Sequence, residues 1–100
     1  MLNIVSEQNG NEVTIFIEGR LDTNSSPELS KEIGKYINSV DRIILDIEKL
    51  VYISSAGLRV LLAADQDMEA KDKEFNVKNV TGEIMGIFEM TGFSNALTII

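Results

Sequence analysis

Apolar positions along the chain fall into two rhythms. In Val13-Thr14-Ile15-Phe16-Ile17-Glu18 the aliphatic residues stand two apart, as a half-buried strand requires, and Leu2 to Glu7 reads as a strand before it. Asn9-Gly10 separates the two runs, and both residue types tolerate positive φ, which predicts a tight antiparallel hairpin. Further on, Leu29, Ile33, Tyr36, Ile37 and Val40 recur at helical offsets and line one face. Pro27 suits the first turn of that helix, a serine just before it can cap, and Glu28 favours the positive helix end. Gly34 works against the helix by roughly 1 kcal/mol relative to alanine.

Arg42 to Ile47 is a nearly continuous apolar run of the kind found in a central strand. A helix from about Ala56 to Lys71 follows, and Glu74-Phe75-Asn76-Val77-Lys78 alternates as a further strand. Thr81 then stands where a cap is needed for a helix carrying Ile84, Ile87, Phe88 and Thr91, which Gly92 closes in the C′ position. Leu97 to Ile100 reads either as a last short strand or as a frayed tail. The order of elements predicts an α/β fold. It is a mixed sheet of four to five strands, an N-terminal hairpin followed by parallel crossovers, with three or more helices packed on it. One hundred residues fit a single domain over 1–100.

Composition narrows the chemistry. Sixteen acidic against nine basic residues give a net charge of -7, which repels nucleic-acid backbones and anionic lipid surfaces and favours a monomer. The sequence contains neither cysteine nor histidine, the side chains most used for zinc and for proton transfer near neutral pH. Absence of cysteine suits a reducing cytoplasm, and no run approaches the ~20 apolar residues of a membrane span. No metal, cofactor or catalytic residue is expected.

The segment Tyr52-Ile53-Ser54-Ser55-Ala56-Gly57-Leu58 joins strand to helix. A hydrolase elbow would need glycine where Ile53 stands and a histidine to take the serine proton, so that reading fails. The carboxylates Asp65, Asp67, Glu69, Asp72 and Glu74 lack calcium-loop spacing and read as a solvated face, and Gly82 with Gly86 form no phosphate-binding fingerprint. By itself, Ser54 or Ser55 is a helix cap. Gly57 in the first turn is unexplained by capping: alanine is better there unless something approaches the backbone closely from outside. A small-residue helix tip also suits an anion, including a phosphate carried by the serine itself.

The stretch LVYISSAGLRVLLAA resembles the signature of STAS domains of the anti-sigma factor antagonist type. EGRLDTNSSPEL is similar to that family's Gly-x-Leu-Asp turn between second strand and first helix, and IFEMTGFSNALTI to its closing helix and hydrophobic end. The resemblance implies a protein that binds an anti-sigma factor, itself a serine kinase, and so frees a sigma factor. Phosphorylation breaks that complex and a serine phosphatase restores it. By position the phosphoacceptor is Ser55, with Ser54, in the family's usual aspartate position, as the second candidate. The implied partner surface comprises Asp22, Thr23, Ser54, Ser55, Ala56, Gly57 and Arg59. The chemistry then belongs to the partner, and this chain is a substrate rather than an enzyme. The competing reading is a phosphorylation-independent STAS scaffold or accessory subunit of a signalling or transport complex.

Overall fold

In order, the chain forms β1 (Leu2–Asn9), β2 (Glu12–Leu21), α1 (Ser26–Tyr36), β3 (Arg42–Ile53), α2 (Ser55–Ala70), β4 (Glu74–Lys78), α3 (Gly82–Thr91), α4 (Phe93–Ala96) and β5 (Thr98–Ile99). The structure, a computed structural model, describes residues 2–100. The sheet has the order β1-β2-β3-β4-β5, with β1 antiparallel to β2 and the remaining neighbours parallel. The mixed α/β architecture read from the sequence is the one observed, and the chain's end is a strand: Thr98 and Ile99 pair with Asn76 and Val77.

The boundaries differ in ways that have local causes. Asn9 pairs with Glu12, so the hairpin loop is Gly10-Asn11 rather than Asn9-Gly10. Gly10 takes the first loop position at φ +65°, and the Asn11 carbonyl accepts from the backbone N–H groups of Asp41 and Arg42. Helix α1 stops at Tyr36, whose carbonyl accepts from Ser39 N and Val40 N. Val40 is therefore buried from the following loop, not from the helix. Ser25 stands at the N-cap of α1 but its side chain makes no cap hydrogen bond, and Thr81 behaves likewise at α3. Gly92 adopts φ +82° as expected, yet it also begins α4, a single turn with no pattern long enough to announce it.

Strand β2 continues through Gly19-Arg20-Leu21, which the sequence placed in a turn, because β3 runs on to Ile53 beside it. The pairing shifts twice: Phe16 faces Asp46, Glu18 faces Lys49 and Arg20 faces Tyr52. Each shift gives β3 one extra residue, a bulge that turns side chains without ending the ladder. Buried positions in this half of β3 accordingly fall three apart, at Ile47, Leu50 and Ile53, and leave Val51 and Tyr52 outside.

One hydrophobic cluster holds the fold together. Val13, Ile15 and Ile17 of β2 join Ile43, Leu45 and Ile47 of β3 and Phe75 and Val77 of β4, covered by α1, α2 and α3 through residues such as Leu29, Leu61 and Phe88. The sheet steps in one direction from β2 to β5, and right-handed crossovers then set the helices on one face. Phe16 and Glu18, exposed, and Ile44, buried yet outside the cluster, belong to the other face. No helix of the described residues is long and apolar enough to cross a membrane.

Candidate functional site

Two adjacent strand ends build the site. Leu21 closes β2 and pairs with Ile53, which closes β3; the Leu21 carbonyl then accepts a hydrogen bond from Ser54 N at 2.9 Å. The turn into α1 and the start of α2 are thus fastened side by side, beyond the C-terminal ends of parallel strands.

Asp22 organises the first of these turns. Its Oδ1 accepts from Asn24 N at 3.1 Å, Ser25 N at 3.0 Å and Ser25 Oγ at 3.1 Å. Ser25 Oγ in turn accepts from Asp22 N at 2.9 Å, and its one proton is shared between Asp22 Oδ1 and the nearer Arg20 carbonyl at 2.8 Å. The Asp22 carbonyl receives Ser26 N and Ser26 Oγ. These donors, the Ser25 amide foremost, hold the Asp22 carboxyl below the usual carboxylate range. Asp22 is half-buried and bound into its own loop, while Thr23 beside it is exposed.

The two serines have different places. Ser54 is the N-cap of α2: its extended backbone precedes the helix, its hydroxyl accepts from Gly57 N at 3.3 Å, and its carbonyl from Leu58 N at 2.9 Å. Ser55 is the first helical residue, and its side chain is exposed. Ala56 is half-buried, and Arg59, one turn along, is exposed. The first turn contains no acidic residue, so the positive end of the helix dipole faces outward uncompensated.

Gly57 corrects the sequence reading. It is buried, and a Cβ on it would lie 2.8 Å from Leu21 Cγ and 2.9 Å from Ile53 Cγ1. The close approach that demands glycine comes from the protein's own strand ends, not from outside. Gly57 lets α2 close down on β2 and β3, and it offers no side of its own to a partner.

A neighbouring patch leaves no signal in the residue pattern. Arg20 Cζ lies 4.2 Å from the centroid of the Tyr52 ring, and Val51 beside it is 64% exposed. Arg20 faces outward on the alternation of β2, with Phe16 and Glu18, whereas Tyr52 is brought opposite it by the second bulge of β3, which no single-strand pattern encodes.

Comparisons with known proteins bear on the family and the fold. The sequence model described as STAS domain matches residues 3–100. The anti-sigma-B factor antagonist of Listeria monocytogenes is 22% identical over 96 residues, covering 95% of this chain and 84% of that protein. Among solved structures, an anti-sigma factor antagonist from Mycobacterium paratuberculosis superposes with a TM-score of 0.89 at 19% identity, over 99% of this chain and 85% of the other. The Bacillus cell fate determinant SpoIIAA in its phosphorylated form gives a TM-score of 0.78 at 21% identity, over 98% and 91%.

Proposed function

The chain belongs to the STAS domain family, and on that premise we propose that it is an anti-sigma factor antagonist switched by phosphorylation of Ser55. It acts as a single domain and a monomer in the cytoplasm. Unmodified, it docks through the tip of α2 and the adjoining Asp22-Thr23 turn on an anti-sigma factor that is a serine kinase, and the sigma factor is released. Phosphate on Ser55 dissolves the complex, and a serine phosphatase resets it. This chain supplies no catalysis of its own; the kinase brings the nucleotide and the transfer chemistry.

The observation that carries the reading is the division of labour between the two serines. Ser54 spends its hydroxyl on the cap, whereas Ser55 offers an exposed hydroxyl at the first position of a helix whose first turn has no acid. A phosphate there adds about -1.5 to -2 charge facing free amide groups and the positive dipole end, with Arg59 one turn on. The antagonist's own fold tolerates it. A partner packed on Ser55 and Ala56 does not, because a dianion buried in the interface has lost its water; a hundredfold loss of affinity corresponds to about 2.7 kcal/mol. That a protein of this fold has been solved phosphorylated adds support by analogy.

The test is to incubate the protein with its anti-sigma factor kinase and ATP and to locate phosphate by mass spectrometry. One phosphate on Ser55, absent from Ser55→Ala and retained by Ser54→Ala, is expected. Phosphate on Ser54 alone, or unaltered partner affinity after modification, contradicts the reading.

A further inference from the structure

On the sheet face opposite the helices lies a groove of about 400 Å³ crossing β1, β2 and β3. Its apolar floor is Val5, 56% exposed, beside Phe16, 37% exposed, two residues paired in register. Three exposed carboxylates, Glu7, Glu18 and Glu48, line it with the ammonium of Lys49 among the described residues, while Asp46 below them is buried, its oxygens accepting from Glu48 N and Asn79 Nδ2, with Lys78 its register neighbour on β4. The first bulge falls within it, between the Phe16–Asp46 and Glu18–Lys49 pairs. Val5 and Phe16 thus form a small exposed apolar pair inside an acidic rim.

We propose that this groove is a second docking site, for a basic segment of a partner protein that seats an apolar side chain on Val5 and Phe16 and sets lysine or arginine against the carboxylate rim. The charge balance selects the occupant. A second copy of this chain, also at -7, is repelled, as is an acidic peptide. The groove's residues stop at Glu18 on β2 and Lys49 on β3, short of the strand ends Leu21 and Ile53 that carry the tip of α2, so it can be filled while a partner holds Ser55. The inference does not depend on the phosphorylation reading.

The probe is a short acetylated peptide of alternating lysine and leucine, compared with the same peptide in which serine replaces leucine, by amide chemical-shift mapping at low salt. The leucine peptide is expected to shift Val5, Phe16 and Glu48 and to bind about fivefold or more tightly than the serine peptide. Phe16→Ser, or Val5→Ser should the first fail to fold, removes that difference, and the double change Glu18→Gln with Glu48→Gln weakens both peptides. Ser55→Glu binds the leucine peptide as the unmodified protein does. Equal binding of the two peptides, shifts confined to the acidic second half of α2, or loss of binding in Ser55→Glu would overturn the proposal.

Discussion

Ser54, Ser55 and Gly57 concentrate the physics of the site into one helical turn. A methyl group on Gly57 has to displace Leu21 and Ile53, both almost wholly buried, and overpacking of this kind costs about 1–3 kcal/mol. Denaturant unfolding of Gly57→Ala is expected to show that loss, and adding Leu21→Ala to remove the nearest atoms is expected to make the glycine change less costly. The loss should persist at high salt, since nothing electrostatic is involved. Ser54→Ala is expected to lower stability by about 1 kcal/mol through the missing cap, while Ser55→Ala changes it by less than about 0.5 kcal/mol. Equal effects would contradict the division of roles. That Gly57 was out of place in an apolar helix could be read from sequence. What it accommodates could not, because Leu21 lies 36 residues earlier and meets it only after β2 and β3 have paired.

At the scale of elements, α1 and α2 give opposite predictions about charge and glycine. Gly34, within α1, has open space where a Cβ would go, so Gly34→Ala is expected to raise unfolding free energy by about 0.5–1 kcal/mol. Asp22, through the Ser25 amide, and Glu32, chiefly through the Ser6 hydroxyl, are held below the usual carboxylate range. Each contributes stability that is complete above its unfolded value and fades as pH falls through the lower folded one. Asp65 on α2 works in the other sense: desolvation first, then Glu69, raises it above 3.8. Its ionisation costs stability at neutral pH, and that cost vanishes as pH falls below the unfolded value. Asp65→Asn is therefore expected to stabilise by under about 1 kcal/mol at pH 7 and by nothing at pH 3, as thermal unfolding at the two values will show. Helix α2 itself was legible within a residue at each end, because its apolar period is long and capped. The bulges of β3 were not, since register is a property of two strands and the buried residues Ile47, Leu50 and Ile53 keep neither period.

Over the whole molecule, the order β1 to β5 leaves one sheet face under helices and the other open, and that asymmetry separates the two surfaces. The tip of α2 stands at the strand ends, the acidic groove in mid-sheet. The alternation of β2 announced its two faces, one apolar and one mixed, but only the shared direction of the three crossovers decides that no helix covers the second. Ser55 stands at the edge of this scaffold, and calorimetric titration of the anti-sigma factor kinase with the protein before and after stoichiometric phosphorylation tests its proposed role as the switch. The phosphorylated form is expected to unfold at the same temperature or slightly higher, yet to bind at least about a hundredfold more weakly. Equal affinity of the two forms would contradict it.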